Sequence, residues 1–261
     1  MYNSLEGCDE MKPIFFSFGN IHIYAYGFMI GLGLLVAGTL AERSAYKKGL
    51  DGDTVFSLIL WCIIGGAIGG KLLFYMTILD TIMKNPSVLL NIGSGFVVYG
   101  SIIGAIVAAM IYARFKKIDI LTYVDHIIPY GALTQAFGRI GCFMAGCCYG
   151  KETSSAIGVI FPSGGLAPPG IPLIPTQLIS SALNLCHFFF LLYISKKVKH
   201  KGQVFCIYLI CYSIGRFVLE YFRGDLVRGS VGIFSTSQFI SIFILLCGVG
   251  LFYYLSKREK A

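Results

Sequence analysis

Apolar residues in this chain come in runs of about twenty, separated by short polar connections; a run of that length crosses a hydrocarbon core as one helix. Seven such runs predict seven spanning helices: Ile21 to Leu40, Val55 to Met76, Phe96 to Ala113, Leu121 to Phe143, Gln177 to Ser195, Val204 to Phe222, and Phe234 to Leu255. The pattern predicts an all-α integral membrane protein. The fourth run holds Asp125, His126, Pro129, Gln135 and Arg139. It is too polar to face lipid and is expected to lie inside a helical bundle or along a wet cavity.

Composition agrees with the pattern. Of 261 residues, 56% are hydrophobic and 13% charged, against about 25% charged in a soluble domain. The net charge of +8 would point to nucleic acid in a soluble protein, but here the cations sit in short clusters between apolar runs. No nucleic-acid partner is expected. One set of connections carries thirteen basic residues: Arg43, Lys47, Lys48, Arg114, Lys116, Lys117, Lys196, Lys197, Lys199, Lys201, Lys257, Arg258 and Lys260. The alternate set carries five: Lys12, Lys84, Lys151, Arg223 and Arg228. Basic connections stay in the cytoplasm, so the N-terminus is expected outside and the C-terminus inside a bacterial cytoplasmic (inner) membrane. Before the first run the only basic residue is Lys12, beside Glu6, Asp9 and Glu10, so no cleaved signal peptide is expected. The longest connection, about Ala145 to Thr176, falls outside; Pro162, Pro168, Pro169, Pro172 and Pro175 prevent a regular helix there. The absence of an internal repeat argues against an inverted-repeat transporter. With no soluble domain, P-loop or dinucleotide fingerprint, residues 1–261 read as one membrane-embedded domain with no cofactor.

The chemistry concentrates in GRIGCFMAGCCYG, residues 138–150. Arg139 closes an apolar run, and an intramembrane arginine is a functional residue by default. Gly138, Gly141, Gly146 and Gly150 let backbone approach a ligand closely. A second arginine of this kind, Arg216, lies in YSIGRFVLEYFRGD. Two guanidiniums at similar depth suit a bound anion, since their planar fork matches phosphate oxygens; in a bilayer the abundant anion is a phospholipid headgroup. Tyr212, Arg216 and Glu220 share one helix face, and Tyr26, Lys71 and Tyr99 add polar groups to other spans. Plainer readings stand beside these. The tyrosines suit interfacial anchors, Lys71 can snorkel, Asp125 can cap or pair near the inner surface, and Arg216 with Glu220 can be a structural ion pair. Cys62, Cys186, Cys206, Cys211 and Cys247 lie in apolar runs as small hydrophobes. Cys142, Cys147 and Cys148, with Cys8, lie toward the outer side. A structural or disulfide role, a reactive or lipid-carrying thiol, and a metal ligand all remain open; C-x4-C-C is not a standard zinc spacing, and no metal is assigned.

Residues 138–150 resemble the signature of the bacterial prolipoprotein diacylglyceryl transferases, roughly G-R-x-G-N-F-x-N-G-E-x-x-G. Resemblance extends over nearly the whole chain: IYAYGFMIGLG is similar to that family's first span, GGKLLFY to its second, and VVYGSIIGAI to its third-span H-G-G-L-I-G motif. DHIIPYG, IPTQL, YSIGRFVLEYFRGD and STSQFIS follow in order. The resemblance implies transfer of the diacylglyceryl group of phosphatidylglycerol to the lipobox cysteine of a prolipoprotein signal peptide, with glycerol phosphate leaving. It implies that Arg139 and Arg216 are the essential arginines, that Tyr26, Tyr99 and Tyr212 belong to the catalytic set, and that Lys71, Gly100, Gly138, Cys142, Gly146, Gly150 and Glu220 line the substrates.

The chemistry fits. The leaving phosphate gains negative charge as its C–O bond breaks, and preorganised guanidiniums stabilise that charge. The acceptor must become a thiolate to attack. Several positions depart from the family pattern: Tyr99 stands where a histidine base is common, Cys142 and Ala145 replace two asparagines, and Cys147 replaces a glutamate. Two other readings therefore stay open. One is a related transferase with a different acceptor, with a site cysteine carrying the lipid group transiently; the other is a non-catalytic phospholipid-binding or transport protein.

Overall fold

The computed structural model describes residues 14–18, 21–90, 95–162, 166–225 and 229–258. Cys8, Lys12, Arg228 and Lys260 lie outside the described residues. Long helices occupy all seven apolar runs: α1 (Ala25–Lys47), α2 (Gly52–Thr77), α4 (Val98–Lys116), α5 (Ile120–Met144), α6 (Thr176–Ile194), α7 (Gln203–Glu220) and α8 (Thr236–Arg258), with a short α3 (Leu79–Lys84) in the second connection. All of these except α3 and α5 are long and apolar enough to cross a membrane, so the chain is a multi-pass helical membrane protein. The fourth run, α5, is not among those six. From Ile120 to Gly150 none of its residues is exposed, as its polar side chains require.

The element ends differ from the sequence expectation. The first run opens as a hairpin, β1 (Ile14–Phe18) paired antiparallel with β2 (Ile21–Tyr24), and only then turns helical at Ala25. The strands satisfy each other's backbone groups, so helix is not the only way to begin an apolar segment. The long connection holds β3 (Val159–Ile160) and β4 (Pro172–Leu173), and a second small hairpin, β5 (Ser230–Val231) with β6 (Phe234–Ser235), leads into α8.

Contacts group the chain into two units, one of Glu42–Tyr123 and one of residues 14–41 with residues 124–258. In the first, α2 and α4 are the closest-packed pair, through glycines. A Cβ placed on Gly100 would lie 2.3 Å from the Gly69 carbonyl oxygen, and one on Gly104 would lie 2.1 Å from that of Gly65. Small residues that let backbones touch are the usual glue between helices in lipid. Asp51 caps α2, accepting from the Asp53 N–H at 3.1 Å.

In the second unit α5 is held by its polar residues. Asp125 Oδ2 accepts from the Gly202 N–H at 2.6 Å and Oδ1 from the Phe205 N–H at 2.8 Å. These are the N-cap and third residues of α7, so a carboxylate from another helix satisfies two of its orphan donors. His126 Nε2 bonds the Ala41 carbonyl at 2.9 Å, and Gln135 Nε2 donates to Tyr208 Oη at 2.6 Å. Replacing Asp125 by alanine is expected to cost about 1–2 kcal/mol, the range of a lost helix cap, and to lower Tm in detergent; an unchanged Tm would remove Asp125 from the list of structural caps.

Candidate active site

The C-terminal end of α5 builds the first half of the site. Gly146 has φ +69°. Its N–H donates to the Phe143 carbonyl at 3.1 Å, and the Cys147 N–H reaches back to the Cys142 carbonyl, also at 3.1 Å. This pair of bonds is the Schellman stop, which brings together the third helical residue from the end and the second residue after the cap. Here those positions are Cys142 and Cys147, so the C-x4-C spacing becomes a meeting of two thiols.

Cys148 follows with φ +61°, a conformation that costs a non-glycine residue roughly 1–2 kcal/mol. The Sγ atoms of Cys142, Cys147 and Cys148 all lie within 4.8 Å of one another, and all three cysteines are free thiols. The start of α6 clasps the turn from behind: Gln177 Nε2 donates to the Cys147 carbonyl at 2.7 Å, and Thr176 Oγ1 to that of Cys148 at 2.8 Å. Gly146→Ala would put a Cβ at a left-handed residue. The expected cost is about 1–2 kcal/mol, with the thiols drifting apart. Thiol-reactive labelling of Cys142 and Cys147 under native conditions should rise, and unchanged labelling would show that the stop does not hold the cluster.

Arginines from two other segments build the second half. Arg216 Nη2 donates to Ser237 Oγ at 2.8 Å and lies 2.7 Å from Glu220 Oε2, one turn along α7. That contact is an ion pair without hydrogen-bond alignment, for Glu220 Oε2 has no hydrogen-bond partner among the described residues. Glu220 Oε1 accepts from Ser235 Oγ at 3.1 Å. Arg223 makes a two-pronged contact with Asp225, Nε to Oδ1 at 2.8 Å and Nη2 to Oδ2 at 2.5 Å, and also hydrogen-bonds the Cys148 sulfur.

Gly150 brings Arg223 there. The two residues form an antiparallel bridge, and the Gly150 N–H bonds the Ile174 carbonyl at 2.9 Å while the Lys151 N–H bonds Phe222 at 2.9 Å. A Cβ on Gly150 would lie 2.6 Å from the Ile174 oxygen and 2.9 Å from that of Phe222. No side chain fits where three backbone strands converge.

These pieces enclose one pocket, lined by Arg139, Cys148, Thr176, Ser180, Arg216, Leu219 and Arg223. Three cations, two hydroxyls and a thiol face it, and among the described residues no carboxylate or imidazole lines it. No carboxylate among the described residues pairs with Arg139. Hydrogen bonds from the Cys142 and Cys147 thiols, helped by Arg223 and Arg139 and opposed by burial, hold the Cys148 thiol far below the usual thiol range. Cys147, hydrogen-bonded to Cys142 and Cys148 and buried, is pushed up instead. Burial alone would weaken the charge of Arg223, but Asp225 and the Cys148 sulfur outweigh it and raise its value.

Several predicted residues therefore come together: Arg139, Arg216, Cys142, Gly146, Gly150 and Glu220. Tyr26 joins them in the first turn of α1. A Cβ on Gly141 would lie 3.1 Å from Tyr26 Cα, and the tyrosine is within electrostatic reach of Arg139 and the three thiols. Tyr212 stands apart from the pocket lining, stacked at 5.8 Å on Tyr208, which in turn stacks on His187. A Cβ on Gly138 would lie an ordinary 3.7 Å from Ile30 Cγ1. Lys71, Tyr99 and Gly100 belong to the unit of α2 and α4. There the Lys71 ammonium lies 5.3 Å from the Phe74 ring and 5.1 Å from Tyr75, Tyr99 is half-exposed, and Gly100 packs on Gly69.

Sequence reasoning missed Arg223, counted there only as a topology charge, and Thr176 and Ser180. The one signal for Arg223 was the aspartate two residues after it, a ready partner for a buried guanidinium.

Comparison with known proteins converges on one family. A family model described as prolipoprotein diacylglyceryl transferase matches residues 13–254. A phosphatidylglycerol–prolipoprotein diacylglyceryl transferase of Clostridium tetani is 45% identical over 242 residues, 93% of this chain and 97% of that protein. The protein of Clostridium perfringens named phosphatidylglycerol–prolipoprotein diacylglyceryl transferase 2 is 46% identical, covering 92% and 93%. A relative of the same name in Dehalococcoides mccartyi is 31% identical over 96% of both chains.

Proposed function

Because the chain belongs to the prolipoprotein diacylglyceryl transferase family, we propose that it moves the diacylglyceryl group of phosphatidylglycerol to the lipobox cysteine of prolipoprotein signal peptides. The observation that carries this reading is the pocket where Arg139, Arg216 and Arg223 surround one space beside a thiol cluster. Three guanidiniums suit a phosphodiester that becomes a phosphate dianion as it leaves, since stabilising charge only where it develops lowers the barrier. Arg216 and Arg223 are held by Glu220, Ser237 and Asp225 before any substrate arrives, so little reorganisation is needed during the reaction. Ser180 offers a hydroxyl to a remaining oxygen, while the Thr176 hydroxyl stays on the Cys148 carbonyl. Tyr26 and Tyr212 complete the proposed set, while Lys71, Tyr99, Gly100 and Gly138 enter on the resemblance of their motifs alone.

The lipid group is not carried on a site cysteine in this reading. Transfer to Cys148 would make a thioether, and a second transfer would have to expel a thiolate from a saturated carbon, a poor leaving group compared with glycerol phosphate. Direct attack by the acceptor is simpler. The excess of basic residues in alternate connections supports a cytoplasmic-membrane location with the N-terminus and this site outside.

The test uses purified protein, phosphatidylglycerol labelled in its headgroup glycerol, and a lipobox peptide with or without its cysteine. Glycerol phosphate release that requires the cysteine, with a diacylglyceryl gain in peptide mass, is the expected result. Release with an unmodified peptide would assign a different acceptor, and no release from folded protein would overturn the reading.

A further inference from the structure

The pocket has everything the leaving group needs and nothing conventional for the nucleophile. An acceptor thiol must lose its proton, yet among the described residues neither carboxylate nor imidazole lines the space. What lies there instead is the Cys148 thiol, one of a set of three clustered sulfurs. We propose that Cys142, Cys147 and Cys148 bind one thiophilic divalent cation of the zinc class, whose fourth position takes the acceptor cysteine as a thiolate. The second half of this inference rests on the transferase reading above.

Geometry supports the donor set. A tetrahedral zinc with Zn–S bonds of about 2.3 Å separates its sulfurs by about 3.8 Å. The three Sγ atoms already lie within 4.8 Å of one another, so closing by about 1 Å or less completes the tripod. Two backbone devices preset it: the helix stop at Gly146 and the left-handed Cys148. Gln177 and Thr176 fix the carbonyls on either side. A cation bound through three protein ligands with one position open is the catalytic arrangement, whereas a closed structural site uses four.

Charge and position also agree. Three thiolates and a dication leave a net charge of −1, and the guanidinium of Arg223 hydrogen-bonds one of those sulfurs, as outer-shell partners of metal ligands do. Cys148 belongs both to the triad and to the pocket lining. A thiolate on the cation would therefore stand beside the donor phosphate on the arginines.

The step balances without a redox partner. Binding of the dication displaces to solvent the protons still held by the three thiols, and the acceptor thiol releases its own proton to solvent on taking the fourth position. Its sulfur lone pair then forms the C–S bond to the glyceryl carbon. The C–O bond breaks, its electron pair leaves with glycerol phosphate, and Arg139, Arg216 and Arg223 receive the new charge. The thioether product is a neutral, weaker ligand and frees the position.

The experiment uses the full protein in detergent, reduced and stripped with a chelator, then titrated with Co2+ alone and with Zn2+ alone. One equivalent of Co2+ should produce thiolate-to-metal charge-transfer and tetrahedral d–d bands, and one equivalent of Zn2+ should abolish them. A cysteine lipobox peptide should raise the charge-transfer intensity by about one third, as three thiolate ligands become four; its serine counterpart should not. Cys142→Ser, Cys147→Ser and Cys148→Ser should each weaken Co2+ binding at least tenfold to a hundredfold, the range seen when even an outer-shell partner is lost. Absence of the bands in folded wild-type protein overturns the proposal, and so do bands that persist in the triple serine variant. Bands that ignore the cysteine peptide overturn the substrate half. Diacylglyceryl transfer at full rate after stripping overturns the cation and leaves the transferase reading standing; peptide-responsive bands with no transfer under any condition would overturn the transferase reading instead.

Discussion

Arg139→Lys and Arg216→Lys are each expected to lower glycerol phosphate release by about 10²–10³-fold, the usual cost of removing one preorganised donor from a developing oxyanion. Lysine keeps the charge but not the planar fork, and a bidentate grip on phosphate needs the fork. The two variants should differ in stability. No carboxylate among the described residues pairs with Arg139, so its loss should leave Tm nearly unchanged. Arg216 faces Glu220 at 2.7 Å, with side-chain exposures of only 13% and 8%. Disturbing it leaves a buried carboxylate poorly paired, which is destabilising, so Tm should fall along with activity. Release rates and thermal melts on the same preparations separate the two effects. Near-normal release in both variants would sink the phosphate-binding assignment.

A methyl group on the α2–α4 contact is expected to do comparable damage to the fold. Gly104→Ala would put its Cβ 2.1 Å from the Gly65 carbonyl oxygen, and Gly100→Ala would meet Gly69 at 2.3 Å. Both obstacles are backbone, so no rotamer change relieves them, and the helices must move apart. Overpacking of this kind typically costs about 1–3 kcal/mol, with rigid backbone obstacles at the upper end, and in lipid there is little hydrophobic drive to restore the contact. Gly38→Ala is the control. No described residue lies within 4 Å of a Cβ there, so the better helix former should be neutral or stabilising by up to about 1 kcal/mol. Thermal melts in detergent measure all three. An unchanged Tm for Gly104→Ala would show that the close approach is dispensable, and a Gly100→Ala protein that melts normally but fails to transfer would support the substrate-site role of Gly100.

The positions of the long helices were legible in the sequence because span length is set by the hydrocarbon thickness, a property of the solvent rather than of tertiary contacts. The buried character of α5 was legible for the same reason: Asp125, His126, Gln135 and Arg139 cannot face lipid. Arg139 and Arg216 stood out because a charge at membrane depth demands a cause. Their shared pocket could be guessed from depth, and the family resemblance from the order of the motifs.

What tertiary structure alone decided depends on long-range approach. Asp125 caps a helix whose N-cap residue lies 77 residues later, which no local spacing announces. Gly100, read as a substrate residue, meets the backbone of Gly69, a contact set by how two helices cross. Arg223 looked like one more surface charge until the Gly150 bridge drew it against Cys148 and Asp225. The three cysteines left several readings open because C-x4-C-C specifies distances along the chain, not in space. The helix stop at Gly146 and the positive φ of Cys148 gather the sulfurs. The sequence by itself thus determined the membrane fold and its costly charges, since each residue's solvation energy is a local quantity; only the folded chain decided which of those charges and thiols share a pocket, since proximity depends on backbone geometry summed over distant segments.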